Sequence, residues 1–181
     1  MPSVAEVLLV VGALRAAYPE DDVVLMDVGV VESSLAAARH AVEARAALGE
    51  GVGGVAVGVA ATLYFTVLNH PLVDGNKKLG VGVAALTAAM NGCRVDEGLL
   101  ACLALLVARG EAGLDDLIRV LLPRVREDKE VLSLSGNVVG LVDAVVERVK
   151  PYWDLLRAHD KGLATLEDVC GAYAGLLPRH G

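Results

Sequence analysis

This sequence has few aromatic side chains and no surplus of basic charge. Aromatic residues make up 3% of the chain, as one Trp, one Phe and four Tyr. Proteins that stack bases need several aromatic platforms, so the composition argues against that mode of nucleic-acid binding. Lysine and arginine number 16 against 23 aspartate and glutamate, a formal net charge of −7. Because phosphate backbones are bound by basic faces, we expect no nucleic-acid partner.

Cysteine is also scarce. Cys93, Cys102 and Cys170 lie far apart, and no Cys-x-x-Cys or Cys/His ligand spacing occurs. The pattern therefore predicts no zinc site, and we interpret the three side chains as buried, reduced thiols. The N-terminal residues 1–6 lack the basic start of a signal peptide, so we expect a cytoplasmic protein.

One uncharged stretch is long enough to raise the question of a membrane span. Residues 51–73 contain no Asp, Glu, Lys or Arg, and a span needs about 20 apolar residues. Several glycines interrupt the stretch, and Asn69, His70 and Pro71 stand near its end. We therefore interpret it as a buried core helix and expect no membrane partner.

Hydrophobic periodicity and capping signals predict helices separated by short loops, and hence an all-α fold. At 181 residues with 55% hydrophobic side chains, the chain can bury a sizeable core. One short extended piece is predicted over residues 23–26. The predicted helices cover residues 4–17, a segment capped by Asp27 and ending at Gly49, and residues 55–69, 76–90, 96–108, 114–126, 137–150, 151–158 and 166–176.

The segment from Gly49 to Gly54 formally matches the glycine pattern of dinucleotide-binding loops. That fingerprint requires a preceding strand within a βαβ unit. Here a helix is predicted before it, so we interpret the segment as a flexible loop between helices.

The polar residues that follow Asn69 join two apolar helices. A helix that starts near Asn76 presents free N–H groups and a partial positive charge, which attract anions. Lys77 and Lys78 lie in its first turn, where positive charge is unfavourable unless an anion compensates. Gly75 allows close approach of a phosphate to the backbone, and the Asn76 amide can donate to it. The segment therefore predicts a polyphosphate ligand.

Two further side chains of this segment complete a reactive set. The Asp74 carboxylate is suited to Mg²⁺, which is often held by one carboxylate together with substrate phosphates. His70 can accept a proton from an attacking hydroxyl near neutral pH. Base, metal ligand and anion site together indicate phosphoryl or nucleotidyl transfer. Neither a Walker A pattern nor the protein-kinase motifs occur in the chain.

The segment 70–78 resembles the Fic/Doc motif, HxFx(D/E)(A/G)N(K/G)R. Leu72 stands where the motif has Phe, and Lys78 stands where it has Arg. The resemblance covers residues 3–126, about the size of a death-on-curing (Doc) toxin, and leaves residues 127–181 as a C-terminal helical extension. The matching positions are His70, Asp74, Gly75, Asn76 and Lys77.

The resemblance implies a compact Fic/Doc-like helical bundle with the motif loop between two central helices. It implies that His70 is the base and that Asp74 binds Mg²⁺. It also implies that the nucleotide phosphates of ATP, the co-substrate, are held by Gly75, Asn76, Lys77 and Lys78.

A lysine at the position of Lys77 is similar to Doc-type members, in which the γ-phosphate is transferred. The family target is a threonine of elongation factor Tu, which arrests translation, and the usual partner is a Phd-like antitoxin. We therefore expect a Doc-like toxin of a toxin–antitoxin system that phosphorylates a protein hydroxyl. The alternatives are a Fic-type AMP transferase (AMPylation) and a catalytically silent member of the fold. For the extension 127–181, docking on the core, dimerisation and covering of the site all stay open.

Overall fold

Helices account for most of the chain that this computed structural model describes, residues 1–46 and 51–177, and the all-α class is confirmed. Two-residue strands, β1 (Cys93–Arg94) and β2 (Arg126–Glu127), form one short antiparallel pair. The helices are α1 (Val4–Ala17), α2 (Val28–Ala44), α3 (Val52–Asn69), α4 (Asn76–Met90), α5 (Glu97–Ala108), α6 (Leu114–Leu121), α7 (Lys129–Ser133), α8 (Val138–Asp160), α9 (Leu166–Cys170) and a 3-10 helix (Gly171–Leu176).

Side-chain caps fix the starts of the first two helices where the sequence predicted them. At α1 the Glu6 carboxylate accepts a hydrogen bond from the Ser3 backbone N–H at 2.6 Å. At α2 the Asp27 carboxylate accepts one from the Gly29 N–H at 2.8 Å. Each cap satisfies an N–H that has no partner inside its helix, which contributes about 1 kcal/mol.

Helix α4 is the most deeply buried element near the loop that the sequence singled out. Every residue from Lys78 to Ala89 is buried, with α1, α3, α5 and α8 packed around the helix. A Cβ at Gly82 would lie 2.7 Å from Val10 Cγ1 and 3.1 Å from Trp153 Cζ2. Only glycine therefore allows α1 and α8 to approach α4 this closely.

Helix α8 is continuous, whereas two helices were predicted over residues 137–150 and 151–158. Pro151 lies inside it, and an interior proline costs about 3 kcal/mol because a hydrogen bond is lost. Val149 and Trp153, on either side of the proline, are fully buried. Burial of such side chains contributes about 1.5–3 kcal/mol each, so packing outweighs the local cost.

Other predicted boundaries also differ from the structure, among them the start of α3, which lies at Val52 instead of residue 55. Helix α6 ends at Leu121 instead of residue 126, because Pro123 cannot continue the hydrogen-bond ladder. The last predicted helix divides at Cys170 into α9 and the 3-10 helix. Helix α2 ends at Ala44, and the predicted end at Gly49, with the start of the glycine-rich loop, lies outside the described residues.

The prediction of three reduced thiols is wrong for two of them. Cys102 in α5 and Cys170 in α9 form a disulfide between residues 68 positions apart. Cys93 is a buried free thiol, as predicted. The pairing results from the packing of α9 on α5, and nothing in the spacing of the cysteines along the chain indicates that contact.

The predicted extension contributes to the same core as the rest of the chain. Val145, Val149 and Trp153 belong to one cluster of buried side chains with residues of α1, α4 and α5. The extension therefore docks on the core, while the division at residue 127 stays a prediction.

The uncharged stretch forms α3, a helix inside the fold. Residues 56–63 of that helix are all buried, which confirms the interpretation as a core helix. Among the described helices, none combines the length and the apolar character that a bilayer crossing requires.

Candidate functional site

His70 ends α3 and turns the chain into the loop that precedes α4. Its backbone is left-handed, with φ 51° and ψ 63°, a conformation that costs a non-glycine residue about 1–2 kcal/mol. Pro71 follows, and a residue before proline avoids the helical region. The turn leaves the His70 side chain exposed at the surface.

The Asn76 side chain holds the loop closed. Its Oδ1 accepts a hydrogen bond from the Leu72 N–H at 2.9 Å, and its Nδ2 donates to the Leu72 carbonyl at 2.8 Å. The Leu72 side chain is 1% exposed and anchors the loop in the core. Gly75 takes φ 96°, which other residues avoid. The amide that was predicted to donate to a phosphate thus shapes the loop itself.

A short extended segment supports the loop from the other side. The predicted extended piece, residues 23–26, is confirmed by an antiparallel bridge between Leu25 and Leu72. The Val73 N–H donates to the Val24 carbonyl at 2.9 Å. Backbone hydrogen bonds on one side and the Asn76 amide on the other therefore fix the position of the loop.

With the described residues, the His70 imidazole forms a single weak hydrogen bond. Asn76 Nδ2 lies 3.4 Å from His70 Nδ1, which is near the outer limit of a hydrogen bond. Because an amide nitrogen only donates, this contact favours the neutral tautomer with hydrogen on Nε2. In that tautomer the Nδ1 lone pair points to the Asn76 amide, so this weak contact has to break before Nδ1 can take a proton from a ligand.

All six predicted site residues line one cavity of about 130 Å³, which we call the loop cavity. The Asp74 side chain is exposed there. Beneath it α4 begins at Asn76, and no side chain caps its N-terminus. The N–H groups of the first turn and their partial positive charge therefore face the same region as the acid and the base. The six residues are His70, Asp74, Gly75, Asn76, Lys77 and Lys78.

The two lysines of the first turn have different environments. Lys77 is half-buried, and its Nζ lies 2.5 Å from Asp160 Oδ1 at the end of α8. Lys78 is 2% exposed, with its Nζ 3.6 Å from Asp21 Oδ2 and 4.9 Å from the centre of the Tyr18 ring. Both ammonium groups therefore face carboxylates of the chain itself.

A second ion pair joins α8 to the segment after α1. Arg157 donates from Nε and Nη2 to the two Asp21 carboxylate oxygens, at 2.8 and 3.0 Å. These hydrogen bonds lower the pKa of Asp21 below its usual value, and the charge of Lys78 acts in the same direction. Asp21 therefore stays ionised between two cations.

Tyr18 closes this network inside the protein. Its hydroxyl donates to Asp154 Oδ1 at 2.5 Å, and Arg157 lies over the ring at 5.3 Å. Burial raises the pKa of Tyr18 well above its usual value, and the bond to Asp154 adds to the shift. The phenol is therefore neutral and serves as an aromatic surface for two cations.

A second cavity of about 410 Å³, the α8 cavity, adjoins the first. Four of its residues also line the loop cavity: Asp74, Lys77, Lys78 and Asp160. The other three are Asp21, Arg157 and Lys161. Nothing in the sequence indicated Asp21, Arg157, Asp160 or Lys161, because no local pattern connects them to residues 70–78.

A larger cavity of about 590 Å³ lies between α2 and the start of α3. None of the predicted site residues lines it.

No group of three or more His, Cys, Asp or Glu side chains that could hold a metal ion occurs among the described residues. Asp74 offers a single exposed carboxylate. Mg²⁺ is commonly held by one or two carboxylates together with substrate phosphates. The residues therefore fit Mg²⁺ only as a partner of a bound nucleotide.

Comparison of the chain with protein-family models, with curated proteins and with solved structures found no match in any of the three. The likeness of residues 70–78 to the Fic/Doc motif therefore stays a prediction from the sequence.

Proposed function

We propose that this protein transfers the γ-phosphate of ATP to a hydroxyl group of a protein target, in the manner of a Doc-like toxin. One observation carries the proposal. An exposed imidazole, an exposed carboxylate and the uncapped N-terminus of α4 all line the loop cavity. A base, a metal ligand and an anion site are the groups that phosphoryl transfer requires.

In the proposed reaction, His70 Nδ1 gives up its weak contact with Asn76 and takes the proton of the target hydroxyl. The hydroxyl oxygen forms a bond to the γ-phosphorus, and the bond from that phosphorus to the β–γ bridging oxygen breaks. ADP leaves with the electron pair, and the proton on His70 is later released to solvent. The N–H groups at the start of α4 stabilise charge on the phosphate oxygens without moving.

Asp74 is the residue that would hold Mg²⁺ on the nucleotide phosphates. When bound there, Mg²⁺ supplies charge neutralisation at the phosphate oxygens. Lys77 would add a further positive charge. In the structure Lys77 is paired with Asp160, so its ammonium group has to leave that carboxylate before it can bind a phosphate.

The protein target and the partner follow from the resemblance alone. By that resemblance, the target is a threonine of elongation factor Tu and the consequence is arrest of translation. A Phd-like antitoxin would be the partner that restrains the activity. The exposure of His70 at the surface is compatible with a target as large as a folded protein.

A catalytically silent member of the fold is the second candidate. The observation that favours it is the neutralisation of both lysines by Asp160 and Asp21 in the structure. A protein of this kind would bind a partner without transferring a group.

The test uses ATP labelled in the γ- or the α-phosphate, incubated with the purified full-length chain, Mg²⁺ and a lysate that contains elongation factor Tu. We expect γ-label on a protein of the lysate. We also expect its loss in His70→Ala and in Asp74→Asn. His40→Ala is the matched control, because His40 is an exposed histidine of α2 outside the loop cavity.

Three results would contradict the proposal. Incorporation of α-label would identify an AMP transferase. If neither label is incorporated, a catalytically silent member of the fold would be the remaining candidate. Label that persists in His70→Ala would show that the imidazole is not the base.

A further inference from the structure

The loop cavity alone is too small for a nucleotide. Its volume is about 130 Å³, whereas ligand pockets commonly measure about 300–1,000 Å³. The α8 cavity, at about 410 Å³, shares Asp74, Lys77 and Asp160 with it. Among the described residues, the α8 cavity therefore offers adjoining space for ligand atoms beyond the first phosphate.

Ionisable side chains make up the whole lining of the α8 cavity. Four cations and three carboxylates line it, which gives a formal charge of +1 in a chain whose net charge is −7. The cations are Lys77, Lys78, Arg157 and Lys161, and the carboxylates are Asp21, Asp74 and Asp160. A positive cavity on an acidic protein favours an anionic ligand.

Lys161 differs from the other three cations. Lys77 pairs with Asp160, while Lys78 and Arg157 share Asp21. No described carboxylate forms an ion pair with Lys161. The residue is exposed and caps the C-terminus of α8 at the cavity wall. Its charge helps to lower the pKa of Asp21, but no ion pair or side-chain hydrogen bond has to break before Lys161 contacts a ligand.

We propose that the nucleotide site extends along α8, with Lys161 binding the phosphates that lie farthest from the start of α4. The inference rests on the proposed function, because it assigns the rest of the same site. It makes α8, a helix of the predicted C-terminal extension, part of the nucleotide site. It also specifies the ligand class: a nucleoside triphosphate, whose phosphate chain spans both cavities, is preferred over a monophosphate.

A positive charge at a helix C-terminus also affects stability, and the experiment has to separate this effect from ligand binding. A lysine in that position also offsets the negative end of the helix dipole, which stabilises the helix without any ligand. Only a lysine that binds phosphate changes ligand affinity. Stability and affinity are therefore measured on the same variants.

The experiment measures binding of ATP, AMP and inorganic triphosphate to the full-length chain by calorimetry, at one fixed salt concentration. Lys161→Gln is expected to weaken ATP and triphosphate binding about 5- to 10-fold, since one charge-assisted contact is lost. AMP affinity should stay unchanged, because we expect its single phosphate to bind at the uncapped start of α4 rather than at Lys161. Lys161→Arg is expected to retain the affinity. Lys150→Gln is the matched control, because Lys150 is an exposed lysine of α8 outside the cavity.

The outcomes distinguish this inference from the proposed function. Equal ATP affinity in Lys161→Gln and Lys150→Gln would overturn the inference and leave nucleotide binding intact. If triphosphate binding depends on Lys161 but ATP binds no more tightly than triphosphate, the anion site at Lys161 would be supported. The proposed transfer of phosphate from ATP would then be overturned. A chain that binds none of the three ligands would overturn both.

Discussion

The ammonium nitrogen of Lys77 lies 2.5 Å from a carboxylate oxygen of Asp160, and this contact joins the first turn of α4 to the C-terminal end of α8. The two residues are 83 positions apart in the chain. Lys77, which the sequence predicts to bind a phosphate, is thus paired with a carboxylate of the same chain. Any anion that binds at the start of α4 has to compete with Asp160.

Asp160→Asn is therefore expected to tighten ATP binding. Removal of the competing carboxylate frees Lys77 and makes both cavities more positive, so the ATP dissociation constant should fall about 3- to 10-fold. The free energy of unfolding should change by less than about 1 kcal/mol, because partly exposed ion pairs contribute little. Calorimetric titration and denaturant unfolding measure the two quantities. Asp143→Asn, at an exposed position of α8, is the control, and equal ATP affinity in the two variants would contradict the competition.

Asp21→Asn is expected to destabilise the fold at neutral pH. It leaves the ammonium of Lys78 buried without its carboxylate partner, which costs about 3 kcal/mol. Because the pKa of Asp21 is lowered in the folded protein, its contribution is present above the ordinary aspartate pKa and is lost as pH falls through the lowered value.

The difference between wild type and Asp21→Asn should therefore shrink in acid, and urea unfolding from pH 7 to pH 2 measures it. Asp22→Asn, at the exposed neighbouring position, should follow the wild type at every pH. A difference that stays constant down to pH 2 would show that Asp21 acts through something other than its charge.

Two glycine substitutions test the close packing of α4. Gly82→Ala should lower the free energy of unfolding by about 1–3 kcal/mol, because its new methyl group would overlap Val10 and press on Trp153. Gly12→Ala in α1 meets no atom within 4 Å and should stabilise the protein by about 0.5–1 kcal/mol. Denaturant unfolding of both variants gives the comparison. A stable Gly82→Ala protein would mean that α1 and α8 do not pack on α4 as closely as described.

The disulfide between Cys102 and Cys170 is expected to stabilise the native state. It closes a loop with a sequence separation of 68, for which the chain-entropy account gives about 4 kcal/mol. Unfolding with and without a thiol reductant should therefore differ by roughly 2–4 kcal/mol. The variant with both residues changed to alanine should lose its sensitivity to the reductant.

The third cysteine supplies the control for that measurement. Cys93 is a buried free thiol, so Cys93→Ala should keep the full response to the reductant. Free-thiol counting under denaturing, non-reducing conditions should find one thiol in the wild type. Three titratable thiols would contradict the bond.

Local sequence signals predicted the elements that local physics controls. Ser3 with Glu6, Asp27, and Thr165 with Asp168 all mark helix starts that the structure contains. Caps and turns depend on neighbours within four residues, so the order of residues alone specifies them. The same holds for the loop from His70 to Gly75 and for the start of α4 at Asn76.

The tertiary structure decided which residues far apart in the sequence contact one another. Pro151 stays inside a helix because side chains on both sides of it are buried, and Cys102 meets Cys170 because α9 packs on α5. Lys78 and Lys77 were equivalent in the sequence, yet one is buried against Asp21 and the other reaches Asp160. Such pairings depend on which faces are brought together when the core is buried. The sequence thus determined the loop, its polar residues and the helix they precede, while folding alone decided which charges surround them.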